Sequence, residues 1–197
     1  MFKTISSNVS AEIIEKKSRF IANAFYVSSK KEAEDKILEI RKKFYDSKHN
    51  CYAYIVNDIE KFSDDGEPSG TAGAPLLKLI KNNNLNNILI VVTRYFGGIL
   101  LGTGGLVRAY TDAGKKTLEK AEIIDKEYGI RYSVEISYNN LKNLEYICKK
   151  IGINIVKLDY KVNIIVTLES NIDKKLELGL SNVEILNVNI EEENIII

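Results

Sequence analysis

The segment 88–95, ILIVVTRY, constrains the fold more than any other stretch of this sequence. A near-continuous apolar run of this kind has the pattern of a central strand buried on both faces. It ends at a glycine-rich turn, FGGILLGTGG. The elements that flank and cover it come from a chain of 197 residues. That length is comfortable for two domains of roughly 70 to 130 residues, each able to bury its own core. With 45% hydrophobic and 28% charged residues the composition is that of a globular protein, which argues against disordered, collagen-like and membrane classes.

Residues 11–27 carry apolar residues in two short stretches and read as an antiparallel pair of strands that turns near Lys16 to Arg19. Ser29 stands three residues before Glu32 in a capping-box pattern, and Ala33, Ile37, Ile40 and Phe44 follow on one face. That spacing predicts a helix over 30–45. Residues 51–56 are strand-like and lead through 60–63 into DDGEPSGTAGAP, a loop too rich in Gly and Pro to be regular. Residues 76–82 continue as a helix whose first turn accepts Pro75, because the missing N–H would have no partner there. A second long helix is expected over 106–121, followed by a charged linker at 122–127. The remainder reads strand (130–138), helix (141–151), strand (153–159), strand (162–169), short helix (173–179) and strand (183–190). That order, βαββαβ, is the ferredoxin-like pattern.

Two segments concentrate residues able to carry function. The first, Asp64-Asp65-Gly66-Glu67-Pro68-Ser69-Gly70-Thr71-Ala72-Gly73, sets three carboxylates and two hydroxyls among glycines that let backbone approach another group closely. The plainer alternative is a tight turn in which Ser69 or Thr71 caps the helix. The second runs from Arg94 through Gly97, Gly98 and Gly102-Thr103-Gly104-Gly105 to Arg108 and Tyr110. A buried strand ends, a glycine-rich turn follows and a helix begins, which aims free backbone N–H groups at whatever lies beside the turn and favours anions. Arg94 and Arg108 add charge-assisted donors for a phosphate or carboxylate. Alternatively the two arginines pair internally with Asp64, Asp65 or Glu67 and lace the segments together. The cleft expected from both segments comprises Asp64, Asp65, Glu67, Ser69, Thr71, Arg94, Thr103, Gly104 and Arg108.

Familiar catalytic patterns do not account for these residues. There is no GxxxxGK[ST], and GTGG lacks the spacing of GxGxxG; GxSxG and HExxH are also missing. His49 and Cys51, two apart on one strand face, could form a nucleophile pair. No orienting group or oxyanion hole accompanies them, and a packed cysteine beside a structural histidine is the plainer reading. Asp64, Asp65, Glu67 and His49 offer metal-ligand atoms, but loop acids are usually solvated or paired, and no metal or cofactor is assigned. Cys51 and Cys148 fall in different domains, form no CxxC pair and read as reduced, buried thiols.

A net charge of +1 gives no general attraction to nucleic acid, so any such role needs a local patch. Residues 128–197 hold eight Lys and Arg against ten Asp and Glu and are no basic platform. Their tyrosines, Tyr128, Tyr132, Tyr138, Tyr146 and Tyr160, read as core or interface residues unless they line one exposed sheet face. The first twenty residues lack a cleavable signal pattern, and no uncharged apolar run is long enough to cross a bilayer. The expectation is a cytoplasmic protein without a membrane partner.

The segments DDGEPSGTAGAP and VVTRYFGGILLGTGGLVRAY resemble the signature of the YigZ/IMPACT family, with SRFIANAFYV and KHNCYAY in the matching order. The resemblance covers residues 1–125 closely and implies an α+β protein. Residues 1–125 would form an IMPACT-type domain, a sheet like that of ribosomal proteins and elongation-factor domain IV with two helices on one face. Residues 128–197 would form a ferredoxin-like domain similar to the fifth domain of elongation factor G. Members of the family have no established catalytic activity. Eukaryotic relatives regulate translation initiation by competing for an activator of the starvation-responsive initiation-factor kinase. They carry an additional N-terminal interaction domain, and fewer than about twenty residues precede the first matching strand here, too few for a core, so that pathway is not carried over.

The function implied is a non-enzymatic binding protein linked to translation through RNA, ribosome or a translation factor, with no catalytic residue assigned. The competing reading is an enzyme acting on a small phosphorylated or nucleotide metabolite. There Arg94, Arg108 and the 102–105 turn would hold the anion, with Asp65 or Glu67 as general base.

Overall fold

The computed structural model describes residues 1–171 and 183–196. After a short strand β1 (Phe2–Ile5), β2 (Val9–Glu15) and β3 (Ser18–Tyr26) form an antiparallel hairpin. Its two-residue turn, Lys16-Lys17, takes left-handed backbone at both positions, with φ 46° and 65°. This turn type matches the natural twist of paired strands, although neither residue is the usual Gly or Asn. Helix α1 (Lys30–Lys43) starts at Ser29, whose Oγ accepts the Glu32 amide at 3.2 Å. The Glu32 carboxylate reaches back one residue further than a capping box requires, to the Ser28 amide at 2.8 Å and hydroxyl at 2.9 Å.

Strand β4 (His49–Val56) turns through Asn57-Asp58 into β5 (Ile59–Ser63), and the loop beyond leads into α2 (Gly73–Asn82). Strand β6 (Ile88–Tyr95) then precedes α3 (Gly102–Leu118). The five-stranded sheet has the order β2-β3-β6-β4-β5 and is antiparallel at every pairing. β6 is its central strand and is buried from Ile88 to Arg94. Side chains alternate across a strand, so one run serves two cores. Ile88, Ile90 and Val92 pack with α2 and α3, which share one face as the fold type implies. Leu89 and Val91 pack with Ala33, Ile37 and Ile40 of α1 on the opposite face.

Two expectations need correction within this unit. α3 begins four residues before Leu106, so the glycines of 102–105 form its first turn and are not a preceding loop. Glycine's helix penalty is a weak prior that packing of Leu106, Ala109, Tyr110 and Ala113 onto the sheet overrides. The charged stretch 122–127 is not free linker: it contains β7 (Ile123–Lys126), which joins β1 in a two-stranded sheet. Charged residues suit the edge of so small a sheet, where they discourage further pairing. β1 and β5 had no sequence counterpart.

The chain divides into compact units spanning Phe2–Asp125 and Lys126–Ile197. In the second, β8 (Tyr128–Ile136), β9 (Asn154–Tyr160), β10 (Ile164–Asn171) and β11 (Ile185–Ile196) form an antiparallel sheet of order β11-β8-β10-β9, with α4 (Leu141–Ile151) between β8 and β9 in the chain. This is the ferredoxin-like arrangement. Leu144 and Cys148 of α4 are buried against Tyr132, Val134, Ile136, Val166 and Leu168. The helix expected over 173–179 lies outside the described residues. Tyr132 is buried, whereas Tyr138, Tyr146 and Tyr160 are exposed on different elements, so the tyrosines do not line one sheet face. No helix among the described residues is long and apolar enough to cross a membrane.

Candidate functional site

Arg94 is the last fully buried position of the central strand, where its cross-strand neighbours are Phe20 on β3 and His49 on β4. Its guanidinium carbon lies 5.5 Å from the ring centres of both Phe20 and Phe96, within cation–π range of each. Arg94 Nη1 donates to Glu67 Oε1 at 2.6 Å, and both side chains are almost wholly buried. The same carboxylate oxygen accepts the Tyr110 hydroxyl at 2.9 Å. Of the two alternatives for the arginines, the internal pair is the one Arg94 makes. Its Nε is buried without a hydrogen-bond partner.

A polar network surrounds this pair. His49 Nδ1 lies 2.7 Å from the Asp65 carbonyl oxygen, an acceptor only, so Nδ1 carries a proton and Nε2 faces Glu67 Oε1 at 4.0 Å. The Cys51 thiol sits 2.9 Å from the Asp64 carbonyl oxygen and 3.3 Å from the Tyr110 hydroxyl. Burial pushes that thiol up to about 12, so it remains protonated at neutral pH and is a poor nucleophile. Burial likewise raises the Tyr110 hydroxyl, which stays a neutral donor to Glu67. His49 and Cys51 therefore support the site as packed and hydrogen-bonded residues.

The loop acids are held by the backbone around them. Asp64 Oδ1 accepts the amides of Ala72 at 2.9 Å and Gly73 at 2.8 Å, and Oδ2 accepts that of Gly70 at 2.8 Å. It thus caps α2 from a distance, where the residue at the N-cap position, Ala72, makes no side-chain bond. Asp65 bridges Arg41 Nη2 at 2.6 Å and the Asn50 amide at 2.7 Å. Thr71 Oγ1 donates to the Pro68 carbonyl at 2.6 Å, and Ser69 is exposed. Among the described residues no group of three or more His, Cys, Asp or Glu side chains is arranged to hold a metal ion.

Above the Arg94–Glu67 pair a groove of about 410 Å³ opens, large enough for a small ligand or one anchoring group of a larger partner. Glu67, Arg94 and Thr103 line it together, with His49 and Lys48 beside them and Phe96, Leu100, Leu101 and Leu106 along the apolar side. Phe96 is 50% exposed and Leu100 82% exposed. Gly97 makes this rim possible, because a Cβ there would stand 2.1 Å from the Lys17 carbonyl carbon. The structure does not bring Arg108 to this groove: it is exposed, its Nε lies 3.3 Å from the Gly104 carbonyl oxygen, and it lines a separate hollow with Ile13, Glu15, Lys16 and Asp112. The helical turn explains this, since Arg108 falls roughly 200° around α3 from buried Leu106. Gly104 is exposed in the first turn of the same helix.

Lys48 was not expected at the site from sequence, and Phe96, Leu100 and Tyr110 lay in the second segment without being named among the cleft residues. Phe96 and Leu100 carried a usable signal, being large apolar residues inside a glycine-rich turn with no periodicity to bury them. Tyr110 closes the dense second segment, but its apolar spacing on α3 looks the same whether or not its hydroxyl has a partner.

The Impact N-terminal domain matches residues 16–118. The chain is 36% identical over 167 residues to the IMPACT family member YvyE of Bacillus subtilis, covering 83% of this chain and 76% of that protein. It is 35% identical over 151 residues to the IMPACT family member YigZ of Escherichia coli, covering 74% of each. A crystal structure described as that of a hypothetical protein superposes with a TM-score of 0.69 at 29% identity, covering 97% of this chain and 98% of that one.

Proposed function

The chain belongs to the IMPACT family, and on that premise we propose that it is a non-enzymatic binding protein linked to translation, working through the groove above Arg94 and Glu67. One observation carries the non-enzymatic part. The carboxylate best placed to act as a general base, Glu67, is committed through Oε1 to Arg94 at 2.6 Å and Tyr110 at 2.9 Å. A carboxylate oxygen already accepting from two donors is not free to take a proton from a substrate. The neighbouring thiol is protonated. Exposed apolar side chains at the rim, Phe96 and Leu100, suit recognition, since large apolar groups left in water mark interaction surfaces.

RNA, the ribosome or a translation factor is the partner class, drawn from the role of eukaryotic family members in translation initiation, and a cytoplasmic location goes with it. The test is co-sedimentation of the full chain with ribosomes and associated factors, for wild type and for Leu100→Asp. The wild type should appear in ribosomal fractions and Leu100→Asp should not, at an unchanged melting temperature. Turnover of a phosphorylated metabolite that Glu67→Gln abolishes would instead establish the enzyme reading and overturn this one.

A further inference from the structure

α3, like α4, begins without a side-chain cap. Leu101 at its N-cap makes no side-chain bond, and no acidic residue stands in its first turn. The first amides of a helix have no intrahelical acceptor and carry the positive end of its dipole. Gly102 and Thr103, in that turn, line the groove with Lys48 and Arg94. Arg94 is 6% exposed, and its Nε has no hydrogen-bond partner. Although Glu67 already pairs with its Nη1, a buried guanidinium with one unpartnered nitrogen is a second, separate sign that a further acceptor belongs here.

Gly104, in the same first turn but outside the groove lining, also leaves backbone bare. It is helical and exposed, and a Cβ placed on it would meet nothing within 4 Å. Neither packing nor backbone conformation requires glycine there, although glycine weakens a helix relative to alanine. Bare backbone at a helix N-terminus does allow close approach of an anion. Beside Lys48, Arg94 and the Glu67 carboxylate that pairs with Arg94, the groove lining is apolar, and half-exposed Phe96 offers an aromatic ring on which a flat base can stack.

Deepening the binding-protein reading on which it rests, we infer that this groove takes a nucleotide unit, its phosphate against the first turn of α3, Lys48 and Arg94, and its base against Phe96 and Leu100. The ligand is a nucleoside 5′-phosphate, either free or as one residue of single-stranded RNA.

The experiment is an amide-resolved NMR titration of the full chain with adenosine 5′-monophosphate, adenosine and a pentameric oligoadenylate. The monophosphate or the oligoadenylate should saturate with shifts concentrated at Gly102, Thr103 and Gly104, and adenosine should bind at least about tenfold more weakly, a difference of ~1.4 kcal/mol. Thr103→Asp places an acid in that first turn, where it suits the helix dipole and repels phosphate. It should melt no lower than wild type and lose at least about tenfold in affinity for the phosphate ligands. Tighter binding of the oligoadenylate than of the monophosphate identifies RNA as the source, and the reverse identifies the free nucleotide.

Adenosine binding as tightly as the monophosphate, unchanged phosphate affinity in Thr103→Asp, or no saturable response to either phosphate ligand overturns the inference. If the phosphate ligands fail while ribosome co-sedimentation persists and is lost in Leu100→Asp, only the nucleotide site falls. If nucleotide binds and no ribosome or factor association is found, the translation-linked reading falls.

Discussion

Removing the Glu67 carboxylate should be among the most destabilising single changes in the first unit. Its side chain is 3% exposed and that of Arg94 7%, so Glu67→Ala leaves a guanidinium buried with no counter-charge and the Tyr110 hydroxyl with no carboxylate to donate to. Breaking a buried pair in this way costs about 3–5 kcal/mol. A unit the size of Phe2–Asp125 has an unfolding entropy of roughly 0.26 kcal/mol/K, so its melting temperature should fall by about 12–19 °C. Arg94→Met removes the charge and keeps apolar volume between Phe20 and Phe96. The Glu67→Ala, Arg94→Met double variant should therefore recover much of the loss. Circular dichroism melts of the four proteins close a double-mutant cycle, in which neighbours sharing one network couple by about 0.5–3 kcal/mol. A coupling below about 0.5 kcal/mol, or a Glu67→Ala melt within a few degrees of wild type, would refute the inference that this pair is a buried electrostatic unit.

Further outcomes follow from the same geometry. Asp64→Ala removes the acceptor of three amides at the head of α2 and should cost about 1–2 kcal/mol in chemical denaturation; a smaller loss would mean water replaces the cap. Gly104→Ala should raise stability by about 0.5–1 kcal/mol, measured the same way, and a loss would show that the position needs glycine for the fold. Burial pushes the Cys51 and Cys148 thiols up to about 12 and about 11, so neither should react with a thiol-specific reagent at pH 8 until the protein unfolds. Rapid native-state labelling of Cys51 would contradict its burial. The unfolded thiols ionise from about 9 while the native ones keep their protons, so above that pH the unfolded state binds fewer protons. Stability from these groups is therefore whole below pH 9 and declines as pH rises toward 11–12, and a flat denaturation midpoint from pH 8 to 10.5 would count against it.

How much of the molecule could be read beforehand varied by element. ILIVVTRY announced a strand covered on both sides because each of its neighbours had to be apolar, and it is the centre of the sheet. The limits of α4 follow from one apolar face and a left-handed Gly152 at its end. β5, exposed from Ile59 to Phe62, has no buried face to leave a period in the sequence. α3 was misplaced at its start because local glycine preference opposed a helix that sheet packing stabilises.

The site divides along the same line. Sequence alone determined which two segments are chemically dense, since composition and glycine spacing are local properties, and the family signature lies in those segments. Only the tertiary structure decided what the charges do. Arg94 on β6, Glu67 on the loop before α2 and Tyr110 on α3 meet because two helices pack on one face of the sheet. Arg108, drawn from the same segment as Arg94, is carried to another hollow by the turn of its helix. A side chain's partner across 27 or 43 residues depends on where packing places both backbones, and no local pattern encodes that distance.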